Sequence, residues 1–173
     1  MLEGKRIALL VEDDFEDSEL VEPMNAMKEA GFEVTLVGSG SKTSYRGKRR
    51  RATVKVDTTA DMVKASDFDA IIVPGGYAPD KMRMHQPMID LVKDAYARGK
   101  IIAGICHGPQ LLISAGIVKG KTMTSWPSVA IDLQNAGARW VDEPLVRDGA
   151  VITARKPADI PQFNAAIIKA LSE

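Results

Sequence analysis

The chain has 173 residues, of which 45% are hydrophobic and 27% are charged, and its 23 basic side chains balance its 23 acidic ones. This length fits one compact domain, 1–173, and the neutral balance excludes an overall electrostatic bias toward nucleic acid or membrane. The apolar run near the first residue is too short for a signal peptide or a membrane span, so we expect a cytoplasmic protein.

The first half of the chain alternates apolar strands with helices. Residues 5–11 (KRIALLV) predict a buried strand, which an acidic loop and a helical stretch starting at Leu20 follow. Further strands are predicted at 32–37 and 70–73, and the second of these runs directly into two glycines. A helix that begins near Pro87 completes this half.

The alternation continues in the second half. A strand at 101–105 leads into Cys106 and a helix that ends at Gly116. Asp148-Gly149 predicts a hairpin turn, and the last helix, 160–171, places its apolar residues on one face. Short strands are also predicted at 122–124, 139–141, 145–146 and 150–154, and a short helix at 129–136.

This alternation predicts a mostly parallel, doubly wound α/β sheet with helices on both faces. In such sheets, ligands bind beyond the carboxyl ends of the strands. Three unusual segments follow strands at those ends: EDDFED (12–17), PGGYAPD (74–80) and CHG (106–108). We expect them to meet in one crevice.

Cys106 is the only cysteine, so it forms no disulfide within the chain, and the two histidines complete no metal cluster with it. The G-x-C-x-G spacing of 104–108 is typical of a strand that turns sharply into a helix at a nucleophile. An inert buried thiol is the alternative. At a helix start, free N–H groups and the helix dipole favour the thiolate, which predicts a pKa below about 8.5.

Four segments carry a resemblance to a known family: AGICHGPQLLISAG, LLVEDDFEDSELVEP, VPGGYAPDKMR and TSWPSVAIDLQNAGARWVDEPLV. Together they resemble the PfpI-type intracellular protease family, in the superfamily of the parkinsonism-associated deglycase and, more distantly, of class I glutamine amidotransferase domains. The resemblance covers nearly the whole chain. It implies a flavodoxin-like sandwich with Cys106 as nucleophile and His107 beside it.

The resemblance also implies an acid from the first loop that points at the thiol, and this acid maps to Glu16. A carboxylate and a thiolate repel each other, so Glu16 must keep its proton to hydrogen-bond the sulfur, and the two groups should titrate as a pair. On chain position alone, Glu16 could equally complement a helix N-terminus.

The remaining implied groups come from the PGG segment. The backbone N–H groups of Gly75 and Gly76, together with that of His107, are expected to hold an oxyanion, although PGG could be only a turn. Family proteases orient the histidine with a glutamate of a neighbouring subunit, and this chain has Asp80 at that position. We therefore expect a homodimer or larger homo-oligomer, while the shorter aspartate puts peptidase activity in doubt.

Other signals are assigned to the surface or to the crevice wall. No histidine follows His107, which excludes the amidotransferase arrangement, and His85 is expected at the surface. Ser125 has no second histidine to activate it, and Trp126 is expected to border the crevice. The basic segment YRGKRRRATVK (45–55) predicts a solvated strand or hairpin, and nucleic acid is not expected as a partner.

The sequence is compatible with three functions. The first is hydrolysis of peptide or amide bonds by thiolate attack on a carbonyl carbon. The second is removal of early glyoxal adducts from amino or thiol groups, or direct conversion of methylglyoxal. The third is a non-catalytic stress protein whose Cys106 senses peroxide. The substrate is thus a small molecule or a peptide, and no cofactor or metal is expected.

Overall fold

A computed structural model of the chain describes residues 4–173. Its strands are β1 (Arg6–Val11), β2 (Glu33–Gly38), β3 (Ser44–Arg46), β4 (Thr53–Lys55), β5 (Thr58–Thr59), β6 (Ala70–Val73), β7 (Ile101–Ile105), β8 (Thr122–Met123), β9 (Arg139–Trp140), β10 (Leu145–Asp148) and β11 (Val151–Ala154). Its α-helices are α1 (Asp17–Glu29), α2 (Ala78–Met82), α3 (Gln86–Ala97), α4 (Pro109–Ser114), α5 (Ala130–Asn135) and α6 (Ile160–Leu171).

Seven strands form one sheet in the order β10-β11-β7-β6-β1-β2-β5. All neighbours pair in parallel except β10 and β11, which are antiparallel around a turn at Gly149 and Ala150, one residue later than predicted. The central strands are apolar because helices cover both of their faces, and every residue of β6 is buried. The flavodoxin-like, doubly wound α/β fold is therefore confirmed.

The helices form two layers. α1 and α6 pack against each other on one side of the sheet, while α3 and α4 pack on the other, where α2 and α5 contact α4. The face predicted for α6 is the buried one, since Ile160, Phe163, Ile167 and Leu171 all lie in the core. Among residues 4–173, no helix is long and apolar enough to cross a membrane.

The sheet order brings the three unusual loops together, as predicted. β1, β6 and β7 are neighbours, so the segments that follow them meet at one edge. Phe15 forms an antiparallel bridge with Gly76, and the Tyr77 N–H donates to the Asp14 carbonyl at 2.8 Å. These backbone contacts fix the first loop against the glycine segment.

Two departures from the predicted elements, and one choice between two predicted forms, bear on this edge. α1 begins at Asp17, three residues before the predicted start at Leu20. α4 begins only at Pro109, so Cys106 lies in a turn that precedes the helix. The basic segment forms the antiparallel hairpin of β3 and β4, which was one of its two predicted forms.

Candidate active site

Cys106 lies on a sharp backbone turn between β7 and α4. Its φ of 62° is in the left-handed region that non-glycine residues rarely adopt. The Cys106 N–H donates to the Ala154 carbonyl at 3.0 Å, and the Gly108 N–H donates to the Ile105 carbonyl at 2.8 Å. A Cβ at Gly108 would lie 2.5 Å from the Val73 carbonyl oxygen, so this turn requires glycine there. Such enforced strain is typical of functional sites.

Glu19, in the first turn of α1, is the acid next to the thiol. Its side chain is fully buried, and its Oε1 accepts a hydrogen bond from the Gly75 N–H at 2.9 Å. A Cβ at Gly75 would clash with Oε1 and would lie 2.7 Å from the Cys106 Cβ. Only glycine at this position therefore allows Glu19 and Cys106 to lie this close to the backbone between them. Glu19 Oε2 has no hydrogen-bond partner among residues 4–173. Burial raises the pKa of Glu19 to about 8.

The prediction for Glu16 is wrong. Its carboxylate accepts from Lys48 Nζ at 2.8 Å and from Arg49 Nε at 2.6 Å instead of bonding to the sulfur. Burial alone would raise the pKa of Glu16, but the hydrogen bonds from Arg49 and Lys48 lower it below its ordinary value. Glu16 is therefore a carboxylate at neutral pH and cannot donate to the sulfur.

Sequence reasoning missed Glu19, although a signal for it was present. Glu19, Pro23 and Met27 are four residues apart, so they share one face of α1, and all three are buried. The predicted helix start at Leu20 leaves Glu19 outside the helix, so the prediction does not include Glu19 in this face. Glu16 lies just before the helix, where the same periodicity does not apply.

His107 lies against the thiol. Its Nδ1 is 3.3 Å from Cys106 Sγ, a contact that the non-helical turn permits between consecutive residues. The ring stacks on Trp126, with 6.3 Å between the ring centroids, so Trp126 does border the crevice. Burial and the nearby charge of Lys48 lower the pKa of His107, which makes the imidazole neutral at pH 7.

The predicted oxyanion donors are only partly available. The N–H groups of Gly76 and His107 donate toward the Cys106 sulfur. The N–H of Gly75 already donates to Glu19, so its predicted role is wrong: it positions the acid. Gly76 has a φ of 78°, and a Cβ there would clash with the backbone of the first loop.

The pKa of Cys106 departs from the prediction in direction. Burial, followed by the charge of Glu19, raises the pKa of the thiol to about 12, although the N–H groups of Gly76 and His107 and the charge of Lys48 lower it. The contribution of Glu19 exists only while Glu19 is ionised. When Glu19 holds its proton, the cost of forming a thiolate beside it is smaller, and Oε2 can donate to the sulfur.

The crevice over the sulfur has a volume of about 330 Å³. Its lining consists of Glu16, Glu19, Lys48, Arg49, Gly76, Tyr77, Cys106, His107, Trp126 and Pro157. A neighbouring cavity of about 450 Å³ shares Glu16, Arg49 and Pro157 with it. The sequence does not predict Lys48 and Arg49 at this crevice, because a hairpin rich in basic residues does not reveal which of its charges face the rest of the protein.

Asp17 holds the tip of this hairpin against α1. Its two carboxylate oxygens accept backbone N–H groups of Arg49, Arg51 and Ala52, each at 2.9 Å. A Cβ at Gly47 would overlap the Asp17 carboxylate, so a glycine is required at this approach. The first turn of α1 thus positions both Glu19 and the two cations of the hairpin tip.

The other candidates lie outside the thiol site. Asp80 is exposed on α2 and has no contact with His107 among the described residues. His85 is partly buried, with its Nε2 3.8 Å from Glu12 Oε2. Ser125 Oγ donates to the Trp126 carbonyl and accepts from Trp140 Nε1, so it is occupied structurally. Among residues 4–173, no group of three or more His, Cys, Asp or Glu side chains could hold a metal ion.

Comparison with known proteins relates this site to a family. The DJ-1/PfpI family matches residues 5–170. Protein/nucleic acid deglycase 2 of Escherichia coli K12 is 38% identical over 97% of this chain and 98% of its own length. General stress protein 18 of Bacillus subtilis 168 is 43% identical over 93% of this chain and 94% of its own length.

A solved structure gives the same relation. The chain superposes with a TM-score of 0.95 and 43% identity on a two-domain protein from Anabaena variabilis, which has a DJ-1/ThiJ/PfpI-like and a ferritin-like domain. The match covers 97% of this chain and 48% of that one, so this chain spans about half of the two-domain protein. Because the family match and both relatives extend over nearly the whole chain, the protein belongs to the DJ-1/PfpI family.

Proposed function

We propose that the protein is a deglycase, which removes early methylglyoxal adducts from amino or thiol groups through attack by Cys106. The observation that carries this proposal is Glu19, a fully buried carboxyl that still holds its proton at neutral pH beside the nucleophile. A neutral acid in this position can protonate a leaving amine or thiol. Further support comes from the relative in Escherichia coli that is named a deglycase.

The first step releases the modified group. Neutral His107 takes the proton of the thiol, since its Nδ1 lies 3.3 Å from Sγ. The S–C bond forms at the aldehyde-derived carbon while the adduct's C–N or C–S bond breaks, and the electron pair leaves on nitrogen or sulfur. Glu19 supplies the proton that this leaving atom requires. We assign stabilisation of the oxygen on the attacked carbon to the N–H groups of Gly76 and His107, which donate toward the sulfur.

The second step converts the enzyme-bound hemithioacetal of methylglyoxal. Glu19, now a carboxylate, removes the proton from the carbon bound to sulfur and returns it to the neighbouring carbonyl carbon, while the hydroxyl proton of the first carbon passes to the oxygen of the second. This internal shift oxidises the first carbon and reduces the second, so it needs no external oxidant or reductant. The product is a lactoyl thioester, which water hydrolyses to lactate and the free thiol.

Peptide hydrolysis is the second candidate, and it requires more than this chain provides. The resonance-stabilised C–N bond of an amide is harder to break than the C–N or C–S bond of an early adduct, so amide cleavage depends on an oriented general base. Among the described residues, His107 contacts Cys106 and Trp126, and no carboxylate holds its ring. This reaction would need Asp80 from a second copy of the chain. A third function, peroxide sensing, needs only Cys106 and Glu19 and is supported by the relative named a stress protein.

The purified protein should act on methylglyoxal adducts of an amino acid and of a thiol, and should leave a fluorogenic peptide intact. Cys106→Ala should reduce turnover of the adducts at least about a thousandfold, because the covalent intermediate cannot form. Lactate release and peptide fluorescence measure the two reactions. Adduct turnover by Cys106→Ala at the wild-type rate would refute the proposal, and peptide cleavage alone would favour the second candidate.

Asp80 tests the contribution of a neighbouring subunit. If a partner's acid orients His107, the active species is at least a dimer, and Asp80→Ala should lower turnover about tenfold or more while Cys106 is still alkylated normally. Light scattering coupled to size exclusion measures the assembly. Asp94→Ala, which removes an exposed aspartate of α3, is the matched control. A fully active monomer would remove Asp80 from the mechanism.

A further inference from the structure

Arg49 lies where the thiol crevice meets the neighbouring cavity, and it lines both of them. Its Nε donates to Glu16, and its side chain is 53% exposed. Neither of its terminal nitrogens has a hydrogen-bond partner among residues 4–173. A guanidinium with its outer edge unoccupied, at the opening of a reactive crevice, is available to a ligand.

The crevice carries one net positive charge at neutral pH. Of its lining groups, Lys48 and Arg49 are cationic and Glu16 is anionic, while Glu19 and His107 are neutral. The remaining lining residues are uncharged. A bound molecule with one negative charge would therefore neutralise the crevice, whereas a dianion would leave one negative charge in excess.

Lys48 and Arg49 differ in how far their charged groups already contact other side chains of the protein. Lys48 Nζ lies 2.8 Å from Glu16 Oε2 and 5.3 Å from the centre of the Tyr77 ring, and its side chain is 27% exposed. Arg49 instead offers two parallel N–H groups, which match the two oxygens of a carboxylate. Asp17 already fixes the Arg49 backbone, so little ordering is required when a ligand binds.

We propose that Arg49, assisted by Lys48, is a specificity-determining residue that binds a carboxylate of the adduct attacked by Cys106. This inference rests on the proposed function and narrows its substrate class to adducts with a carboxylate near the modified group. That carboxylate is either the main-chain carboxylate of a free amino acid or thiol, or an acidic side chain beside the adduct in a protein. Arg49 and Cys106 line the same crevice, so this carboxylate and the reacting carbon would share one cavity.

Alkylation of Cys106 tests this inference without any need for turnover. Iodoacetate is an anion and iodoacetamide is neutral, and both react with the same thiolate. The ratio of the iodoacetate rate to the iodoacetamide rate therefore reports the electrostatic field over the sulfur and is independent of the pKa of the thiol. Loss of one positive charge at Arg49→Gln should lower the ratio about five- to tenfold. Glu16→Gln should raise it by a similar factor, since it removes the only anion of the crevice. Salt at about 0.5 M should weaken both effects.

Arg50→Gln is the matched control, because Arg50 is in the same hairpin but lines a different cavity with Asp13 and Asp14. Its ratio should stay within about twofold of wild type. Equal ratios for Arg49→Gln and Arg50→Gln would overturn the inference. If Arg49→Gln changes the ratio but the wild-type protein turns over no adduct, the proposed deglycase function is wrong, while the anion-binding site at Arg49 is still supported.

Turnover then identifies the source of the carboxylate. The methylglyoxal adduct of N-acetylcysteine carries a main-chain carboxylate, that of N-acetylcysteinyl-aspartic acid α-amide carries an acidic side chain, and that of N-acetylcysteine amide is neutral. One of the two anionic adducts should have a kcat/KM about five- to tenfold above that of the neutral adduct, and Arg49→Gln should remove this advantage. Equal values for all three adducts would overturn the assignment of substrate class.

Discussion

Replacing Glu19 by glutamine is expected to lower turnover by about 10²- to 10⁴-fold while Cys106 still reacts with iodoacetamide at close to the wild-type rate. Glutamine keeps the hydrogen bond from the Gly75 N–H, and its amide group puts an N–H donor where protonated Glu19 carries its O–H. It cannot, however, give a proton to a leaving group or take one from carbon. Steady-state turnover of the adduct and the alkylation rate at pH 7 measure the two properties separately.

Two variants show whether this loss is specific. Glu29→Gln removes an exposed carboxylate of the same helix and should leave turnover within about twofold of wild type. Glu16→Gln removes the acid that pairs with the hairpin cations and should cost far less turnover than Glu19→Gln. If Glu19→Gln instead accelerates alkylation strongly, Glu19 is ionised beside the thiol, and its role as a proton donor is contradicted.

The fold could be predicted largely from local patterns. Apolar runs such as 70–73 and 101–105 are long enough for buried strands, and the spacing of Phe163 and Ile167 identifies the inner face of α6. The elbow at Cys106 was also predictable, since a glycine two residues later is what the crowded turn requires. These features depend on residues close together in the chain.

The charges of the site could not be predicted in the same way. The pKa of Cys106 depends on its burial and on Glu19, which is 87 positions away in the chain, and the general preference of helix starts for a thiolate does not include either effect. Glu16 has a lowered pKa because Lys48 and Arg49 reach it from the hairpin tip, which Asp17 holds in place. Such pairings are set by tertiary contacts, so the order of acids along the first loop does not reveal which of them keeps its proton.

The buried acid that serves the reaction should also weaken the fold. In the unfolded chain Glu19 ionises near its ordinary value of 4.5, whereas in the folded protein its pKa is about 8. Between these two values the folded state holds a proton that the unfolded state has lost. The free energy of unfolding therefore falls as pH rises through this window, by at most about 1.4 kcal/mol for each pH unit from this one group.

Glu19→Gln is accordingly expected to be more stable than the wild type at pH 8, by about 3 to 5 kcal/mol, and nearly equal to it at pH 4.5. Glutamine has no proton to lose, so the penalty of an ionised carboxylate in the core disappears, while the hydrogen bond from Gly75 is kept. Urea unfolding of both proteins at pH 4.5, 6 and 8 measures the difference, in which the titration of His107 and of the exposed acids cancels. Glu29→Gln, the exposed control, should show no such dependence. A stability difference that is constant from pH 4.5 to 8 would mean that Glu19 ionises alike in both states, and would remove the basis for its role as the proton donor.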